Sequence, residues 1–190
     1  MSIDPIINLL RSRTSNLHES VHNLPLMRRL LSQECSLTDY QRVLVGFYRF
    51  HCRYNGLFSI LPKEERFSLQ APALVWLDND LAALGIEAKK LQCPLKSSKG
   101  TLEDYLAFMY VTQGSALGGQ QILKHLKSRF ESQESSFSSE FYQGYGRDTG
   151  KVWREFQVYL EGKSQFVDYE KVALSAEQCF KEIIEDLGNE

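Results

Sequence analysis

The chain has 190 residues, of which 43% are hydrophobic and 24% charged, an ordinary composition for one soluble domain spanning 1–190 and large enough to bury a core and a cavity. Its net charge of -2 at pH 7 argues neither for nucleic acid nor for an acidic surface partner, and neither is expected. No stretch approaches the ~20 apolar residues of a membrane span, and MSIDPIINLLRSR has too short an apolar run and too early an acidic residue for a signal peptide.

The four cysteines, Cys35, Cys52, Cys93 and Cys179, are widely spaced and form no C-x-x-C pair. They are expected to be reduced thiols of a cytoplasmic protein. The 12% aromatic content suits a core that also walls a ligand pocket. Arg11, Arg13, Arg28 and Arg29 make the N-terminal region basic, and Lys124, Lys127 and Arg129 cluster again later.

Apolar residues recur at helical spacing almost throughout, which predicts an all-α fold. A first helix is expected from about Pro5 to about Leu31, interrupted at Pro25, where the ring removes an amide donor and clashes with the preceding turn. SLTD (Ser36 to Asp39) opens a second helix with a capping-box pattern, running on until Pro62. APALVWLDNDLAAL is a third, stopped by Gly85. CPLKSSKG (Cys93 to Gly100) reads as a loop, and TLED (Thr101 to Asp104) caps a fourth helix reaching about Phe130. ESQESSFSSE is the one low-complexity stretch and reads as a solvated loop or helix end. A fifth major helix starts at Thr149 and ends at Gly162. In the last helix Val172, Ala173, Ala176, Cys179, Phe180, Ile183, Ile184 and Leu187 form one apolar stripe.

Two stretches carry chemistry. HESVH (His18 to His22) matches the H-E-x-x-H pattern of zinc metalloproteases, and on a helix both histidines share one face. A catalytic zinc needs a third protein ligand. The extended metzincin form fails, with Pro25 in place of its glycine and Arg28 in place of its histidine. Glu34, Glu64 and Glu65 stay available as distant ligands, and the plainer alternative is a polar helix edge with no ligand. The second stretch is YVTQGSALGGQQILKHL (Tyr110 to Leu126). Gly114, Gly118 and Gly119 interrupt a strongly helical pattern, each costing about 1 kcal/mol relative to alanine. Bare glycine faces let a backbone approach something bulky and flat; close helix–helix packing is the alternative. A proximal histidine and a glycine-bearing distal helix together describe the two faces of a haem site.

On these residues the chain resembles the haem oxygenases, in particular the short bacterial kind associated with bacteriophytochromes or iron acquisition. LRSRTSNLHESVHNLPLMRRLL looks like the family's proximal helix, GSALGGQ like its distal glycine motif, and GKVWREFQVYLEG with SAEQCFKEIIEDL like its two C-terminal helices. The resemblance implies one all-α domain with haem b, as cofactor and substrate, between a proximal and a glycine-kinked distal helix. It implies His18 as the iron ligand, with Gly114, Ser115, Gly118 and Gly119 along the distal face. It implies Arg11 and Tyr110 at the haem propionates, Arg154 at the haem edge and Phe180 as a pocket wall. Ser115 stands where many relatives have an aspartate that organises proton-delivering water, and His22 where they often have glutamate.

The activity so implied is oxygen- and reductant-dependent cleavage of haem to biliverdin, carbon monoxide and ferrous iron by a monomer. The electron donor would be a ferredoxin or a flavoprotein reductase, because no nucleotide-binding motif is present, and a bacteriophytochrome would be a candidate acceptor of biliverdin. A haem-binding carrier or sensor on the same fold is the other reading, and Ser115 favours it.

Overall fold

The computed structural model describes residues 6–93, 100–132 and 137–189. Pro5 and most of the two loops expected at Cys93–Gly100 and Glu131–Glu140 lie outside the described residues. Among those described there are helices and turns but no strand, so the all-α expectation holds.

Eight α-helices follow in order: α1 (Ile6–Asn23), α2 (Pro25–Leu30), α3 (Leu37–Tyr54), α4 (Ala73–Ala83), α5 (Leu102–Phe130), α6 (Glu140–Gln143), α7 (Thr149–Lys163) and α8 (Tyr169–Gly188). Pro25 does more than break the first helix. It occupies the first turn of α2, where its missing amide hydrogen costs nothing. Both predicted capping boxes form, Ser36 with Asp39 and Thr101 with Asp104, each satisfying two amides that the helix itself leaves unpaired. Gly85 has a φ of +77°, and its amide and that of Ile86 return to Ala82 and Leu81 carbonyls, which closes α4 as expected.

Three details differ from the sequence reading. The expected second helix, α3, stops at Tyr54 and continues only as a tighter 3₁₀ turn over Asn55–Ser59. The fifth passes through Gly162 to Lys163. The four-residue α6 was not anticipated; Gly144, with φ of +47°, ends it.

Helix α8 is the spine, and α1, α3 and α5 all pack along it. Its predicted stripe is buried apart from half-buried Ile184. Arg13 fastens α1 to α8 through Glu177 at 2.7 Å and Glu170 at 2.6 Å. On the far side of the spine Arg53 of α3 meets Asp186 at 2.7 Å. Gly46 of α3 lies so close that a Cβ there would sit 2.7 Å from Leu187 Cδ2. Aromatic rings fill the space between α3 and α5, where Tyr54 and Phe108 stack at 4.9 Å.

The short α6 is held by one buried carboxylate. Asp80 of α4 accepts hydrogen bonds from Ser138 Oγ (2.6 Å) and from the Glu140 and Phe141 amides (2.8 and 3.0 Å). Burial pushes this carboxyl's pKa up, while those donors pull it down. Removing the acceptor leaves these three half-buried donors without that partner, at about 1 kcal/mol each. Asp80→Ala is therefore expected to lower the unfolding free energy by about 3 kcal/mol. Urea denaturation reads this directly, and an unchanged midpoint would show that α6 is anchored by something else.

Candidate functional site

Because α1 and α5 each rest on α8, a cleft opens between them. It comprises two adjoining cavities of about 310 and 400 Å³ that share His18, Val111, Gly114, Ser115 and Phe180 as walls. These volumes are in the range of small-molecule sites, about 300–1,000 Å³. The inner cavity is mostly apolar and reaches α3, α4 and α6 through Phe47, Phe58, Trp76 and Tyr142. The outer one opens past Arg11, Thr14, Ser15 and Leu117.

His18 lies on α1 facing the cleft. Its ring stands edge-on to Phe180 of α8, with centres 5.9 Å apart, and edge-on to His22 at 4.6 Å. No hydrogen bond to another described residue holds either imidazole. Partial burial, then the neighbouring His22, depresses the His18 pKa below its ordinary value, which favours the neutral imidazole. Among the described residues, no third His, Cys, Asp or Glu joins the pair in a group that could hold a metal.

Helix α5 runs unbroken through all three of its glycines. They are not equivalent. A Cβ on Gly114 would touch the Trp153 ring at 3.6 Å, and one on Gly119 the Tyr142 ring at 3.5 Å. Both are ordinary packing distances, so these two glycines partly fit the helix-packing alternative. A Cβ on Gly118 would meet nothing within 4 Å. Gly118 lines the inner cavity, and packing gives no account of it. Ser115, one turn earlier, donates its hydroxyl to the Thr112 carbonyl of its own helix at 3.0 Å.

Arg11 and Tyr110 meet in the outer cavity. The Tyr110 hydroxyl lies 3.3 Å from Thr14 Oγ1. Burial raises this phenol's pKa, with the Thr14 bond and the charge of Arg11 opposing. One anticipated residue is not brought in. Arg154 is exposed on α7 and is not among the residues lining either cavity; its neighbour Trp153 lines the outer one.

The sequence reading missed His51 and Gln113. His51 of α3 is 8% exposed, lines the inner cavity, and stands edge-on to Phe108 and Phe141. A signal existed, since Phe47 and His51 are one turn apart on a helix whose other apolar residues face inward. Gln113 is buried with its side-chain amide 2.8 Å from the Tyr145 hydroxyl.

Desolvation alone lowers the His51 pKa to about 4. The folded state thus binds fewer protons than the unfolded one between about pH 4 and pH 6.5. Stability is fully present above the unfolded value of about 6.5 and falls as the pH drops to about 4, by about 3 kcal/mol for this group. His51→Phe should remove that share of the acid sensitivity. Denaturation midpoints of both proteins at pH 7 and pH 5 check it: parallel losses would show that His51 is already charged or solvated in the fold.

Among solved structures, the fold matches the NO- and CO-bound haem oxygenase of Neisseria meningitidis with a TM-score of 0.72, at 19% identity over 98% of this chain and 94% of that one. The chain therefore has the haem oxygenase fold. No protein-family model matches the sequence, and no curated protein does.

Proposed function

We propose that the chain is a haem oxygenase that cleaves haem to biliverdin, carbon monoxide and ferrous iron. The observation that carries the reading is the cleft wall, where His18, with no hydrogen bond to another described residue, and the open glycine face at Gly118 border the same cavity. The residues present suit the ligand. A neutral imidazole is an iron donor, an open glycine accepts a flat macrocycle, and Arg11 with Tyr110 offers a cation and a hydroxyl to carboxylates.

Bound haem supplies the iron at which oxygen is activated and is itself the molecule cleaved. The protein's part is placement. The His18 imidazole would hold the iron, and Phe180, edge-on to that ring, limits its rotation. Gly118 would leave room for the macrocycle in the inner cavity, whose apolar wall would exclude bulk water. Arg11 and Tyr110 would fix the propionates in the outer cavity and so set the macrocycle's rotation. Arg154, exposed beside Trp153, would reach the haem only from its rim.

Proton supply differs from that of relatives with aspartate at position 115. The Ser115 hydroxyl is already donating within α5. His51 is neutral at pH 7 and can relay a proton by exchanging a hydrogen bond, but it holds no standing charge. Electrons would come from a separate donor, a ferredoxin or a flavoprotein reductase, docking on the basic N-terminal region that includes Arg28 and Arg29. A bacteriophytochrome remains a candidate acceptor of the product.

The committed Ser115 hydroxyl favours a second reading, a haem carrier without turnover. Adding reductant to the haem complex under air separates the two. An oxygenase loses its haem absorbance and gains the broad red band of biliverdin. A haem spectrum that cycles between oxidation states without bleaching would leave the carrier.

A further inference from the structure

His22 is not used by the proposed function, yet it faces the same cavity as His18. The two side chains lie one helical turn apart on α1. Their ring centres are 4.6 Å apart and their planes cross at 68°. Neither has a hydrogen-bond partner among the described residues, so no hydrogen bond has to be broken for either to turn onto a ligand.

Two imidazoles one helical turn apart on one face can share one metal ion. A metal bound at about 2.0–2.1 Å by an imidazole nitrogen lies about 3.2 Å from the ring centre. Two rings converging on one ion at a right angle then have centres about 4.5 Å apart, whereas a tetrahedral angle requires about 5.2 Å. The observed 4.6 Å is that of an edge-on ring contact, and the rings can turn to meet an ion in either arrangement; of the divalent ions that imidazole suits, Cu²⁺ is held most tightly. The surroundings agree. The cleft offers room for water to complete the coordination, and among the described residues no third protein ligand joins the pair.

We propose that the haem-free protein binds one divalent metal ion, copper most tightly, between His18 and His22. The ion occupies the nitrogen that haem iron would need, so metal and haem exclude one another. The exclusion rests on the proposed function; the metal site itself does not. It gives the cleft a second state, in which a free metal holds off haem until the haem concentration or a chelator displaces it.

The test uses haem-free protein and copper(II) chloride, followed by calorimetry and by electron paramagnetic resonance. The expected result is one copper per chain with nitrogen splitting from two imidazoles. Either His18→Ala or His22→Ala should weaken binding at least about tenfold, since each removes half of the chelate. His125→Ala should change nothing, because that imidazole lies on another face, 3.2 Å from the Ser32 carbonyl. One equivalent of copper should also slow hemin capture at least about tenfold, with copper released as hemin enters.

Copper affinity unaltered in His22→Ala, or splitting from a single nitrogen, would overturn the metal site. Hemin taken up at the unloaded rate with copper retained would overturn the exclusion. Failure of the metal-free protein to bind hemin would instead count against the proposed function, and the copper titration would still decide the metal site.

Discussion

In a His18→Ala variant, hemin affinity is expected to fall by about 100-fold, or about 2.7 kcal/mol, and turnover with it. The fold should survive. His18 is exposed, makes no hydrogen bond to another described residue, and contributes one edge contact to Phe180, so surface-like tolerance within about 0.5 kcal/mol is the expected stability cost. The loss would therefore be one of ligation and not of folding. Added imidazole, small enough for the vacated space, should restore part of the six-coordinate spectrum. Hemin binding equal to wild type, with an unchanged Soret band, would transfer the ligand role to another residue. His51, buried in the same cavity, would then be the first to test.

Gly118→Leu is the second large effect, and its signs are opposed in the two states. The haem-free protein has nothing within 4 Å of the new Cβ, and replacing a helical glycine gains up to about 1 kcal/mol. The variant should melt at or slightly above the wild-type temperature. Its side chain, however, enters the cavity that the ligand must fill, so hemin affinity and turnover should fall by about 100-fold. Gly46→Leu is the contrasting case. A Cβ there comes within 2.7 Å of Leu187 and 3.1 Å of the Asp186 carbonyl, and the overpacked variant should lose stability by about 1–3 kcal/mol. A Gly118→Leu protein that binds hemin normally would place the ligand elsewhere in the cleft.

Those two glycines also mark how far the sequence could be read. Both sit in helical patterns, and both cost helix propensity. Only the tertiary arrangement reveals that Gly46 lets α3 press against α8 while Gly118 borders empty space. The helices themselves were legible because their signals are local. Ser36 with Asp39, Thr101 with Asp104, and Pro25 all act within one turn. The apolar stripe of α8 was equally plain, since a 3.6-residue period is written in consecutive residues. The stop at Gly162 was misread because a glycine near a helix end is permitted but not obliged to terminate it, and α7 gains one further turn-closing residue before Ser164 takes over.

Of the residues that the resemblance singles out, His18, Gly118 and Phe180 come together along one cavity. The site was not legible at His51 and Gln113. A buried polar group signals function only through what surrounds it, and Phe108, Phe141 and Tyr145 come from distant parts of the chain. Arg154 illustrates the reverse. Its type suits a propionate, but its position on α7 leaves it exposed while Trp153 takes the inward place.

The most direct measurement is a titration of the purified protein with hemin, followed in the visible spectrum. The account predicts a sharp Soret band that saturates at one hemin per chain, with the spectrum of a histidine-ligated iron. Spectra that remain those of free hemin throughout, or a band that keeps growing beyond one equivalent, would contradict it.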